Sequence, residues 1–244
     1  MKNYRFQDIQ SHIDRYNLLT PLDILLVGGT GTGKSSTLNA LFNSTVAKVG
    51  EGVDPETQHV SAHSLHDYLR FHDSAGLGDG KENDYNHAKN ITWELQRTCN
   101  TDYHFMDLTM VLLDGGSRDL GTAFQLLESV VLKAIEPQRV IVAINQADMA
   151  MKGRYWNTHS NKPEPTLVNF LEEKAHSVQH RINESTGLTI NKPIYYSAKF
   201  HYNIHALVDH IIHHFPTSRR VVYNHESKGS DSNASGFLND LNLL

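Results

Sequence analysis

The chain has a single cysteine, Cys99, among 244 residues. An internal disulfide and a thiolate metal cluster are thereby excluded, which fits a reducing compartment. Long apolar runs are missing too: stretches such as Ile24 to Val27 and Thr109 to Leu113 fall far short of the roughly 20 residues a membrane-spanning helix needs. The start, Met1-Lys-Asn-Tyr-Arg-Phe-Gln-Asp8, has no apolar region followed by a small-residue cleavage site. A cytoplasmic address without integral membrane association is therefore expected. Nor is there an excess of positive charge, since 22 Lys and Arg stand against 27 Asp and Glu for a net charge of -5. The total thus favours neither nucleic acid nor an anionic membrane. What the chain does have is a hydrophobic content of 39%, enough to build one sizeable core and to exclude disorder of the whole chain.

The order of elements follows from apolar spacing. Phe6, Ile9, Ile13 and Tyr16 recur at helical steps and predict a short N-terminal helical extension over residues 1–20. Leu22 to Val27 reads as a buried strand that breaks at Gly28, and Ser35 to Val46 as a helix. Ala47 to Thr57, with Gly50, Gly52 and Pro55, reads as a loop. Further strands are expected at Val60–Leu65, Tyr68–His72, Leu108–Leu113, Val140–Ile144 and Pro193–Tyr196, and helices near 84–98, 120–135, 165–185 and 202–215. Such alternation predicts an α/β fold, a mostly parallel sheet with helices on both faces, filling residues 21–216. Beyond Pro216 the composition turns polar, with Lys228-Gly-Ser-Asp-Ser-Asn-Ala-Ser-Gly236 at its centre, so 217–244 are expected to form a flexible C-terminal tail.

Gly28-Gly-Thr-Gly-Thr-Gly-Lys-Ser35 matches the pattern G-x-x-x-x-G-K-[ST] and lies between a buried strand and a helix, as a phosphate loop must. Gly28, Gly29, Thr30, Gly31, Thr32 and Gly33 let the backbone wrap a phosphate chain. The N–H groups of the helix start, through Ser36, point at its charge. Lys34 is placed to reach the outer phosphates, and Ser35 to offer a hydroxyl to Mg²⁺, a hard cation that binds oxygen. Asp73-Ser-Ala-Gly76 follows a strand, which puts a carboxylate near the Mg²⁺ and the Gly76 N–H near the terminal phosphate. Asn145-Gln-Ala-Asp148 closes another strand, and Asp148 can accept from the N1–H and the exocyclic amine of guanine, donors that adenine lacks in that geometry. Ser197-Ala-Lys199 follows the last strand and is expected to present the Ala198 N–H to the guanine carbonyl oxygen. Thr57, in the loop ahead of Asp73, is the candidate switch threonine that completes Mg²⁺ coordination when the γ-phosphate is present.

These four motifs, in this order, resemble the phosphate-loop GTPases of the translation-factor-related class, which includes Era-like GTPases, septins and dynamins, over about residues 21 to 215. Gly33-Lys-Ser-Ser-Thr-Leu-Asn-Ala-Leu-Phe, Gly52-Val-Asp-Pro-Glu-Thr57, Gly76-Leu-Gly-Asp-Gly80 and Ala143-Ile-Asn-Gln-Ala-Asp-Met-Ala are similar to small prophage-borne GTPases of the YfjP and YeeP type. The resemblance implies GTP and GDP as ligands, Mg²⁺ as cofactor and hydrolysis of GTP as the activity. Three departures from the family pattern stand out. Gln146 replaces the Lys that packs its stem on the base, Leu77 replaces the water-orienting Gln of Ras-type enzymes, and Gly31 replaces the Asn with which some relatives hold potassium.

Two readings follow. One is a GTP-hydrolysing switch, slow alone and raised by a homodimer across the nucleotide face or by a separate activator, with Lys48 and Arg118 as possible sources of the missing positive charge. The other is a GTP-gated binding or assembly module of septin-like kind, in which hydrolysis is not the main function. No RNA-binding module is expected, because one helix and the tail are all that follow Lys199. His176 and His180, like His210 and His214, are spaced to share a helix face, yet the apolar pattern of the last helix puts His210, His213 and His214 on its solvent side.

Overall fold

The structure is a computed structural model and describes residues 3–44, 61–74, 76, 81–99, 102–117 and 120–222. Leu22-Asp-Ile-Leu-Leu-Val-Gly28 forms β1 (Leu22–Gly28), and all seven residues are buried. A near-continuous apolar run of this kind marks a strand covered on both faces. Its one charged residue, Asp23, accepts from Arg70 Nε (2.5 Å) and Arg70 Nη2 (2.9 Å) and lies 2.6 Å from His72 Nε2. β1 is preceded by α1 (Phe6–Tyr16) and followed by α2 (Lys34–Phe42). The antiparallel pair β2 (Ser61–His66) and β3 (Leu69–Asp73) comes next, then α3 (Lys81–Gln96) and β4 (Leu108–Asp114). α4 (Gly121–Leu126) runs through a π-helical turn (Leu127–Val131) into α5 (Leu132–Ala134). β5 (Val140–Asn145), a small hairpin of β6 (Trp156–Asn157) and β7 (Lys162–Pro163), α6 (Pro165–Thr186), β8 (Ile194–Tyr195) and α7 (Ile204–His213) complete the order.

The six-stranded sheet has the order β2-β3-β1-β4-β5-β8, and every neighbouring pair except β2 and β3 is parallel. The expected mostly parallel sheet with helices on both faces is present. Alternate side chains of β1 feed two cores. Leu25 and Val27 join Ile91 and Leu95 of α3 and Leu167, Leu171 and Val178 of α6. Leu22, Ile24 and Leu26 join Ile9 and Ile13 of α1, Leu38 of α2 and Leu207 of α7. The N-terminal helix thus shares the second core with the sheet. Tyr4 Oη donates to Asp209 Oδ2 (2.9 Å), which ties the chain start to α7 as well. Among the described residues no helix is long and apolar enough to cross a membrane.

Two expectations need correction. Residues 217–222 do not belong to a flexible tail: Val221 pairs with Tyr103, the Val222 N–H donates to Asp102 O (2.8 Å), and Arg220 is 4% exposed. The Arg220 guanidinium donates to the carbonyls of Leu95, Ala134 and Met106, and its Nε stands 3.3 Å from Glu136 Oε2. One buried cation satisfying carbonyls from two helices and a loop outweighs the polar composition around it. Arg220→Met should therefore lower stability by roughly 3 kcal/mol, the scale of removing one member of a buried charged network, which urea unfolding followed by circular dichroism would measure. Residues 223–244 lie outside the described set. The second correction concerns α7, whose His210 flanks the buried stripe of Leu207 and Ile211 and is not a solvated residue. Burial, then the neighbouring His214, push the His210 imidazole down to about 4, and the two rings meet edge-on at 4.6 Å. Only His213 of the three is exposed. Among the described residues no group of three or more His, Cys, Asp or Glu is placed to hold a metal ion.

Candidate nucleotide-binding site

Parallel strands all end on one edge, and this edge collects the four motifs. The phosphate loop leaves β1, Asp73 ends β3, Asn145 ends β5, and Ser197 follows β8. Gly31 (φ +78°) and Gly33 (φ +85°) adopt the left-handed backbone that glycine tolerates without strain. Lys34 opens α2 and is 8% exposed, with Nζ donating to the carbonyls of Gly28 and Gly29 at 3.2 Å each. Its ammonium is thus folded over the loop. The Thr32 hydroxyl donates to Gly29 O (2.9 Å) and braces the same turn. Thr30 is exposed at the loop's crest, and Ser36 is half-buried in the first turn of α2.

Ser35 Oγ donates to Asp73 Oδ2 at 2.8 Å, so the two expected metal-holding groups meet. Asp73 is 1% exposed, and its Oδ1 is buried with no hydrogen-bond partner. Burial raises the Asp73 pKa, while the Ser35 hydrogen bond and the Lys34 charge oppose the rise. An unpartnered carboxylate oxygen beside a serine hydroxyl fits a hard divalent cation, which would satisfy both. Gly76 abuts the phosphate loop at Thr30. A Cβ there would lie 2.7 Å from Thr30 N, Cα and Oγ1, so only glycine can come this close.

The residues expected to recognise the base form a second group. Asp148 is 5% exposed and accepts from Ser197 Oγ at 2.6 Å, which holds the carboxylate through one of its oxygens. Asn145 is a staple: Nδ2 donates to Thr32 O (3.0 Å) and Gly33 O (3.4 Å), and Oδ1 accepts from the Ala198 N–H (3.1 Å). The Ala198 N–H, expected to face a guanine carbonyl oxygen, is therefore engaged with Asn145. Gln146, in left-handed conformation (φ +59°), donates Nε2 to Gly31 O and so ties the base loop to the phosphate loop. Lys199 is exposed, its Nζ 5.2 Å from the Phe200 ring centre. Thr57, Lys48, Leu77 and Arg118 lie outside the described residues.

Three positioning contacts had no signal in the sequence. Tyr196, fully buried, lies with its hydroxyl 2.7 Å from Thr37 Oγ1, and Thr37 donates in turn to Gly33 O (2.7 Å). His87 of α3 lies against Gly76. Lys174 of α6 donates Nζ to the carbonyls of Asp114 (3.2 Å), Gly115 (2.7 Å) and Ser117 (2.6 Å). Burial lowers its pKa, and the Asp114 charge works against that. The loop it holds presses on the base loop, where a Cβ on Gly115 would lie 2.6 Å from Asn145 O and 2.8 Å from Gln146 O. Lys174→Met should thus speed release of a fluorescent GDP analogue roughly tenfold in stopped flow, the scale of one or two lost charge-assisted hydrogen bonds.

Comparison with known proteins agrees with this geometry. The family model described as 50S ribosome-binding GTPase matches residues 23–146, just over half of the chain. Toc33 from Arabidopsis thaliana in complex with GDP and Mg²⁺ superposes with a TM-score of 0.62 at 12% identity, covering 91% of this chain and 95% of that one. A structure of the chloroplast translocon components atToc33 and psToc159 gives 0.63 at 13%, covering 91% and 93%. Era bound to MgGDPNP and a segment of 16S ribosomal RNA gives 0.53 at 16%, covering 86% and 61%. At these identities the likeness is one of fold. No curated protein matches the sequence at a significant level. A phosphate loop and a serine–aspartate pair on one sheet edge, within a segment that fits the family model, lead to one conclusion: the chain belongs to the 50S ribosome-binding GTPase family.

Proposed function

We propose that this protein binds GTP and GDP with Mg²⁺ and hydrolyses GTP slowly alone, as a switch whose turnover a second molecule raises. The observation that carries this reading is the pairing of Ser35 with Asp73, one oxygen unpartnered, on one side of the phosphate loop and of Asp148 with Ser197 on the other, stitched together by Asn145. Asp148 would accept from guanine, and Lys34 would hold the outer phosphates. Ser35 and Asp73, joined by Thr57, would hold Mg²⁺, which when bound neutralises charge on the phosphate oxygens. The Gly76 N–H would face the terminal phosphate as water attacks in line. Stacking on the base by the Gln146 stem and the Lys199 stem belongs to the same reading, as does the finer likeness to YfjP and YeeP.

Activation by a second molecule answers the absence, in the sequence, of a water-orienting Gln at Leu77 and of a potassium-binding Asn at Gly31. A cation supplied in trans contributes roughly 10³ to 10⁵ in rate in GTPases that use one. Dimerization is important for the GTPase activity of atToc33 and psToc159, and an arginine-to-alanine variant of Toc33 is dimerization-deficient. The expected result is GTP turnover per chain that rises with protein concentration, a rise that Arg118→Ala or Lys48→Ala removes while the slow basal rate stays, with added potassium without effect. Fast turnover independent of concentration would refute the trans mechanism. Leu77 also favours a second reading, a GTP-gated binding or assembly module, which light scattering with GTP and single-turnover hydrolysis would separate from the first.

A further inference from the structure

We infer that His87 is a positioning residue for the reaction, clamping the Gly76 carbonyl so that this glycine stays seated against the phosphate loop. The inference rests on the GTPase reading and deepens it at the same site. His87 Nδ1 lies 2.6 Å from Gly76 O, and a carbonyl oxygen can only accept, so Nδ1 carries the proton. The ring projects from a helix that is itself fixed. Ala88, Ile91 and Leu95 of α3 are at most 1% exposed and sit in the core under the sheet, with Tyr85 packed beside them. His87 is half-buried at the flank of that stripe. The opposite side of Gly76 abuts Thr30 in the phosphate loop, at the distances that admit no Cβ. The glycine is thus held between two elements, the phosphate loop and α3, neither of which is part of its own loop.

The physical need for such a clamp comes from the residues around it. Glycine loses more conformational freedom on ordering than any other residue, so an unrestrained Gly76 would sample many backbone orientations. A donor aimed at a developing negative charge is effective only when its direction is set beforehand, because reorientation then costs nothing during the reaction. Leu77, the next residue in the sequence, offers no side-chain hydrogen bond that could supply this order. A histidine donor from a core-anchored helix does. On the GTPase reading the terminal phosphate of GTP faces the Gly76 N–H and GDP lacks that phosphate, so the contribution of His87 should separate the two nucleotides.

The test compares the full chain with His87→Leu, His87→Ala and His87→Asn, the last keeping an N–H donor near the position of Nδ1. Binding of a non-hydrolysable GTP analogue and of GDP is measured with Mg²⁺ by calorimetry, and hydrolysis of bound GTP in single turnover. His87→Leu and His87→Ala should weaken the GTP analogue about tenfold and slow single turnover about tenfold, with GDP affinity within about twofold, and His87→Asn should recover both to within about threefold. An unchanged GDP affinity reports an intact fold and base site. If His87→Leu loses GDP binding through misfolding, the His87→Ala and His87→Asn pair carries the comparison. Analogue-to-GDP ratios and turnover equal to those of the unsubstituted chain would overturn the inference and leave the proposed function standing. A native chain that binds no guanine nucleotide would overturn the proposed function itself.

Discussion

Asp148→Asn should invert the base preference, turning a guanine-nucleotide binder into one that prefers xanthine nucleotides. In the native chain the carboxylate is 5% exposed and receives Ser197 Oγ at 2.6 Å, so it is fixed before any base arrives. Guanine offers it two donors, N1–H and the exocyclic amine. Xanthine keeps N1–H and replaces the amine with a carbonyl, which a buried carboxylate repels and an amide N–H donates to. A polar site built for one hydrogen-bond pattern rejects the opposite pattern by roughly 10⁴-fold, because buried groups are left unpaired. Competition calorimetry with GDP, XDP and ADP measures the change. Equal affinity of the native chain for ADP and GDP would refute the role given to Asp148.

Lys34→Ala should lower affinity for GTP by on the order of a hundredfold or more, with a smaller loss for GDP. The ammonium is buried to 8% exposure and already folded over the loop, 3.2 Å from Gly28 O and Gly29 O, so it meets incoming phosphates without first giving up a solvent shell. Lys34→Arg should not restore binding, since a planar fork does not occupy the place of a compact ammonium. Calorimetric titration of each variant with the GTP analogue and with GDP gives both losses. Unchanged affinity in Lys34→Ala would mean that phosphate is held elsewhere.

Much of the fold was legible because its signals are local. A short run such as Leu22–Gly28, with no charged side chain but Asp23 and ended by glycines, reads as a strand covered on both faces, and the phosphate-loop pattern that ends in Lys34 and Ser35 places a helix start after it. Asp73, Asn145, Asp148 and Ser197 each follow a strand, and parallel strands deliver their ends to one edge. That step alone brought Ser35 to Asp73 and Ser197 to Asp148. Harder to read were contacts whose partners lie far apart in sequence. Arg220 looked like part of a polar tail because composition carries no record of the three carbonyls that receive it. His210 looked solvated because helical periodicity places a flank residue correctly without saying what packs against that flank.

By itself, then, the sequence determined the element order, the α/β class and the identity of the motifs, since each depends on backbone preferences and apolar spacing within a few residues. Only the tertiary structure decided how the motifs are held. Asn145 became a staple between two loops, and Gln146 a tie to Gly31. Tyr196 and Thr37 link the base side to the phosphate side, while Lys174 and His87 fix the loops behind each. These roles belong to hydrogen-bonding groups with a range of about 3 Å, so they exist only where packing of the two cores brings distant segments to that distance.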